Sequence, residues 1–197
     1  MGLYNAEISA GSLMLQESRR LARLMTENPT EAQWMQAIKV DNILQKKSPA
    51  TAMRQAHLIR KRLDTLNQEA WALIAESEQE VALQLLLAAA IKHSKLLGDF
   101  IKDVYAQHLR RLESTLSHHL WEGFLTECIH RDEQVSEWAD STKEKLFQVI
   151  IRILTESKYL DSSRKMNLTP PMLHPAVISY LKRNNESQVL AVMEQVK

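Results

Sequence analysis

Between Val81 and Ile91 a single polar side chain, Gln84, interrupts a continuous run of Val, Ala, Leu and Ile. A helix that is apolar on every side has to be enclosed by other elements. The segment therefore predicts a central helix with a shell of amphipathic helices around it. The strongest part of the run, Leu85 to Ile91, lies between Gln84 and Lys92. That is far short of the roughly 20 apolar residues that cross a bilayer, so no membrane association is expected. The N-terminus lacks the basic-then-apolar form of a signal peptide. One cysteine, Cys128, allows no internal disulfide and suits a reducing compartment. The expected location is cytoplasmic.

The shell can be traced from helix punctuation. With only 4 Gly and 5 Pro in 197 residues, turns and strands must be few. A first helix is expected from about Ser12 to Thr26, stopped by Asn28-Pro29. Thr30 opens a second with the form of a capping box, Thr30-Glu31-Ala32-Gln33. Ser48-Pro49 opens a third, with Ser48 as cap and Pro49 at the first helical position. Its residues Ala52, Ala56, Ile59, Leu63 and Leu66 step by 4, 3, 4 and 3 along one buried face. Asn67 caps a fourth helix. Further helices are expected over Ser94 to Leu112, Ser117 to His130 and a short piece near Gln134 to Trp138. Another starts from an apparent capping box at Ser141-Thr142-Lys143-Glu144.

The tail reads differently. Tyr159-Leu160, the polar Asp161 to Arg164 and Met166-Asn167-Leu168 suggest two short strands joined by a turn. Helices then follow over about Pro175 to Arg183 and Glu186 to Val196. The predicted fold is mainly α, a compact helical bundle. It has a helix-turn-helix-like N-terminal part (1–66), a central helical core (67–140) and a C-terminal part (141–197) resembling a winged helix with a small β-hairpin. All three parts together could equally form one compact domain.

Charge is close to balanced at +1 but unevenly placed. From Asn42 to Leu63 there are six Lys and Arg residues and no acid, with Asp41 and Asp64 at the borders. On the third helix Arg54, His57 and Lys61 share one face, and Lys47 extends that line past the cap. Cations so arranged bind nucleic acid by neutralising phosphates and releasing counterions, and a helix N-terminus offers free amides to a phosphate. Thr51, Arg54 and Gln55 are placed to reach base edges. A solvated helix face has the same composition. In the tail, Arg164 and Lys165 would form the tip of the wing. The expected nucleic-acid-binding set is Lys46, Lys47, Thr51, Arg54, Gln55, His57, Lys61, Arg62, Arg164 and Lys165.

A third basic strip, from Lys92 to Arg111, is interrupted by Asp99 and Asp103 and reads as a helix with local ion pairs. From Glu113 to Asp140 there are seven acids against one basic residue, Arg131. Such a zone keeps a domain soluble, or receives a basic protein.

Signals for catalysis and metal binding are weak. His118, His119, Cys128, His130 and Asp132 lie close in sequence, but the two adjacent histidines point about 100° apart on a helix and lack metal-ligand spacing. There is no Gly-rich phosphate loop and no nucleophile motif. Four tryptophans at separate places suit core packing. No enzyme activity, cofactor, metal or small-molecule substrate is expected.

Several segments resemble the BrxA-type component of bacterial BREX (bacteriophage exclusion) loci. They are Glu7 to Leu13 with Glu17-Ser18-Arg19, and Leu44 to Ala52 with Leu58-Ile59-Arg60. Further segments are Ala88 to Phe100, Tyr159-Leu160, Leu173-His174-Pro175 and Tyr180-Leu181. The resemblance implies a compact, mainly helical DNA-binding component. It would be encoded beside a methyltransferase, an ATPase and a phosphatase-like protein, in a system that blocks phage replication and marks host DNA. It brings no catalytic motif. The function expected is a non-enzymatic, double-stranded-DNA-binding adaptor among other proteins of the defence locus. The alternative is a protein-interaction subunit whose basic face docks an acidic partner.

Overall fold

The computed structural model describes residues 2–194. The helices are α1 (Leu15–Thr26), α2 (Glu31–Lys39), α3 (Pro49–Leu63), α4 (Gln68–Glu76), α5 (Gln79–His93), α6 (Lys95–Phe100), α7 (Ala106–Arg110), α8 (His118–Arg131), α9 (Asp140–Glu156), α10 (Pro175–Arg183) and α11 (Ser187–Glu194). Short 3₁₀ turns cover Glu7–Ala10 and Glu133–Glu137, and a π turn over Ile101–Tyr105 joins α6 to α7. The expected last helix reached Val196; residues 195–197 lie outside the described residues.

Helix α5 occupies the centre. Every side chain from Val81 to Ile91 is buried, Gln84 included. Helices α1, α3, α4, α6, α10 and α11 all pack against it. One continuous apolar core runs from Tyr4 to Met193. A second aromatic knot closes the other side: the Phe100 ring lies 5.3 Å from Phe124 and 5.9 Å from Trp121. Trp121 also lies 5.7 Å from Phe147. The chain bends by 109° at Ser94 between α5 and α6. Among the described residues no single helix is long and apolar enough to cross a membrane.

The punctuation read from sequence works locally. Thr30 and Gln33 complete a reciprocal capping box, and the Ser48 and Asn67 side chains each accept an amide of the helix they precede; Ser94, expected only as the start of a helix, caps α6 in the same way. One cap is misplaced. Helix α9 starts at Asp140 and not at Ser141, because the carbonyl of Ala139 takes the amides of Thr142 and Lys143. Ser141 is thus already inside the first turn.

The expected β-hairpin is a correction. No strand forms among the described residues. Leu160 and Leu168 make one isolated antiparallel bridge, and Thr115 and Asn167 another. Left-handed backbone at Lys158 (φ 69°) and Met166 (φ 53°) breaks the extended runs that strands would need. Pro170 and Pro171 have no amide to extend a ladder. The winged-helix likeness falls with the hairpin. The helix-turn-helix likeness is also loose: residues 40–48 separate α2 from α3, where that motif uses a turn of about three or four residues.

Candidate nucleic-acid interface

Helix α3 is held from its N-terminal side by the connection that precedes it. The Asn42 carboxamide closes on Lys46, accepting its amide and donating to its carbonyl, both at 3.0 Å. Arg20 of α1 donates to the Ile43 carbonyl at 2.9 Å, and Leu44 is buried. The Lys46 ammonium sits 2.5 Å from Glu17, also on α1. The Glu17 carboxyl is raised by burial, but the Lys46 contact overrides this and holds it below the usual range. The connection is thereby fastened to α1, and Ser48 is set where its hydroxyl caps α3.

This anchoring divides the cations of the acid-free segment into two groups. Lys46 is used by Glu17. Arg60 lies 2.8 Å from Glu31 and 4.6 Å from the Trp34 ring centre. Lys61 was expected to point to solvent, but it lies 2.7 Å from Glu7 of the N-terminal 3₁₀ turn. Arg62 is 3% exposed and faces inward, donating to the carbonyls of Gly11, at 2.9 Å, and Ser12. Burial lowers its guanidinium to about 10, so it stays charged at neutral pH. A side chain so placed is out of reach of a phosphate. Lys47, Arg54 and His57 form the second group. All three are exposed, with no hydrogen bond or ion pair among the described residues. Arg54 and His57, three residues apart, share one face of α3. Thr51 and Gln55 beside them are half-buried, and the Gln55 Oε1 atom is buried without a partner.

Arg164 and Lys165 lie exposed in a tight turn. Its neck is closed by Asp161, which accepts the Asn167 amide at 3.0 Å and its carboxamide at 2.8 Å. The Ser162 hydroxyl accepts the Lys165 amide at 3.1 Å. Ser163 reaches the Thr155 hydroxyl in the last turn of α9 at 3.3 Å. Glu156, the next residue, accepts from the Ser12 hydroxyl and the Leu13 amide, both at 2.8 Å. A continuous line of polar contacts thus joins the end of α3, through residues 11–13, to the turn carrying Arg164 and Lys165.

The third basic strip is mostly consumed. Lys92 turns inward to the Thr65 carbonyl and Glu186, and Lys95 pairs with Asp99 at 2.8 Å. Lys102, Arg110 and Arg111 are the exceptions; all three are exposed and unpaired among the described residues. None of them has an acid four residues away to hold it, a signal the charge count alone passes over.

His118 pairs with Glu144 at 2.8 Å and His119 with Glu122 at 3.3 Å, on separate lines. Cys128 is buried, and burial pushes its thiol up to about 12, away from nucleophilic use. Among the described residues no three His, Cys, Asp or Glu side chains converge as a metal site would need.

The fold and its charged surface are those of a compact all-helical protein built around one enclosed helix. The BrxA family model matches residues 2–185, and the chain belongs to the BrxA family. It is 42% identical to BREX protein BrxA of Paramagnetospirillum magneticum, over 97% of this chain and 96% of that one. It is 33% identical to BREX protein BrxA of Escherichia coli O9:H4 (strain HS), over 95% of this chain and 88% of that one. A crystal structure of an uncharacterized protein from Magnetospirillum magneticum superposes with a TM-score of 0.90 at 40% identity, covering 98% and 99% of the two chains.

Proposed function

We propose that this BREX component binds double-stranded DNA without strong sequence preference, as a non-enzymatic adaptor among the other proteins of its locus. The observation that carries this reading is the division of cations on α3. Most of the positive charge there and in the connection before it is held by carboxylates or carbonyls, yet Arg54 on this capped, acid-free helix and Lys47 just before its cap are left free and exposed. Unpaired cations keep their full charge for a polyanion, because no internal ion pair has to be broken first. Arg164 and Lys165 add a second unpaired pair.

Each neutralised phosphate contributes about 0.9 to the slope of log affinity against log salt. Contacts from Lys47, Arg54, Arg164 and Lys165 give a slope of about −3.6. Reversing Lys47 and Arg54 together to Glu is expected to flatten the slope by about 1.8 and weaken all duplexes alike. A folded double variant with unchanged slope would remove α3 from the contact surface. Passage of the wild-type protein over immobilised duplex without retention at moderate salt would favour docking to an acidic protein.

A further inference from the structure

The connection between α7 and α8 holds a leucine that the fold gives no reason to keep. Helix α7 ends with the Glu113 amide on the His108 carbonyl and the Leu112 amide on the Leu109 carbonyl, both at 3.0 Å. This is a left-handed helix end, with Leu112 at φ 59° in the position that usually takes glycine. His108 and Glu113 clasp the turn at 2.7 Å, so the geometry is fixed. Leu112 is also 92% exposed. Of the exposed large apolar residues Leu3, Val40, Leu112 and Met172, it alone has positive φ. A branched apolar side chain in left-handed backbone is crowded at Cβ, and here it gains no burial in return.

The surroundings say what would cover it. Residues 114–116 pair antiparallel with 166–168: the Leu168 amide donates to Ser114 at 2.8 Å and the Leu116 amide to Met166 at 3.0 Å. Thr115 stands opposite Asn167. This register puts Arg110, Arg111 and Leu112 beyond one end of the paired segment and Arg164 and Lys165 beyond the other. The two ends are on the order of 15 Å apart at the rise of an extended chain. All four cations are exposed and unpaired among the described residues; Glu113 is taken by His108, Asp161 by Asn167 and Asp103 by Arg131, while Glu127 lines one cavity with Arg111. Cations at two ends of a ridge fit the phosphates flanking a groove. An exposed leucine at one of these ends is one of the side chains that wedge against base steps and kink a duplex.

We propose that Arg110, Arg111, Arg164 and Lys165 form one ridge that grips duplex DNA, and that Leu112 inserts from it against the base stack. The proposal rests on the reading of the chain as a duplex binder and adds to it a deformation of the duplex and two phosphate contacts, from Arg110 and Arg111, which steepen the expected slope to about −5.4.

The full chain is titrated onto short duplexes carrying 2-aminopurine at successive positions, and onto duplexes with a fluorophore pair at their ends. Binding is expected to raise 2-aminopurine emission through unstacking and to shorten the end-to-end distance. Leu112→Ala should bind about tenfold more weakly, with the salt slope unchanged because no phosphate contact is lost, and without the emission rise. Leu112→Gly should behave alike at an equal or higher thermal midpoint, which excludes misfolding as the cause. Arg110→Glu with Arg111→Glu should flatten the slope. If the wild type binds duplex with no change in either signal, or Leu112→Ala matches it, the wedge is wrong and duplex binding stands. If the wild type binds no duplex at all, both readings fall.

Discussion

Arg62 and Glu156 hold the same three residues from opposite sides. Arg62 donates to the carbonyls of Gly11 and Ser12, while Glu156 accepts the Ser12 hydroxyl and the Leu13 amide. The backbone between them takes the two terminal nitrogens of a guanidinium only 3% exposed, while its Nε is buried without a partner. Glu156 also favours the charged form of Arg62, against the larger effect of burial.

Removing one side of this arrangement leaves the other uncompensated. Arg62→Met is expected to cost about 3–5 kcal/mol, because the carbonyls of Gly11 and Ser12 lose their partner and Glu156 loses a nearby positive charge. For a chain of this length that lowers the thermal midpoint by roughly 10 °C. Glu156→Gln keeps an acceptor and should cost less. The double variant should be more stable than the sum of the two losses implies, and differential scanning calorimetry of all four proteins gives the coupling.

Acid should act on the same corner in two stages. His93 has its pKa lowered by burial and by the neighbouring Arg62 and Lys61, against an opposing contact with Glu7. Folded protein therefore resists taking a proton on His93 that the unfolded chain accepts, and stability starts to fall as pH drops below about 6.5. Glu7 is held below its ordinary range by the hydrogen bond from Lys61, and its contribution is present above about pH 4.5 and lost as pH falls through its lowered value. Chemical denaturation from pH 8 to 3 should show both steps. Glu7→Gln should remove the lower one; an unchanged acid limb in that variant would exclude this assignment.

Local signals were legible because they act within one turn. The caps Thr30, Ser48 and Asn67, the bounds of α10 and the enclosed α5 all follow from local sequence. The free face of α3 was only half legible. Helical spacing puts Arg54 and Lys61 on one side, but whether a cation stays free depends on acids far away in sequence, Glu7 for Lys61 and Glu17 for Lys46. Arg62 was misjudged although its spacing carried a hint: it lies three residues after Ile59 and four before Leu66, at the edge of the buried stripe. The hairpin failed for a comparable reason. Met166 to Leu168 divides its backbone bonds between residues 161–162 and residues 114–116, and the second pairing is one that no local pattern announces.

Gly123 offers a gain in stability without a change in surface chemistry. It sits exposed inside α8, and a Cβ built there meets nothing within 4 Å. Glycine inside a helix costs roughly 1 kcal/mol relative to alanine. Gly123→Ala should therefore raise the thermal midpoint by about 2–4 °C. A lower midpoint would mean that the residue makes a close contact in solution that the fold does not show.

Gln84 is the one polar side chain on the enclosed stretch of α5, and it has a specific task. It is 2% exposed. Its amide donates to the Met172 carbonyl at 3.0 Å, and its oxygen accepts the His174 amide at 2.8 Å. These two groups belong to the extended segment between Pro170 and the start of α10, which has no sheet partner for them. The His174 ring then accepts the Ala176 amide and caps α10. Gln84→Leu fits the apolar surroundings but leaves the carbonyl and the amide unpaired, at about 1–3 kcal/mol each. The expected result is a loss of roughly 3 kcal/mol despite a more apolar core, with faster hydrogen exchange at His174 and in the first turn of α10. Gln84→Glu still accepts from His174 but cannot donate to Met172, so the His174 amide should stay protected while overall stability falls. If Gln84→Leu proves as stable as the wild type, with His174 still protected, burial of the residue and not its hydrogen bonds to Met172 and His174 is what seats this segment.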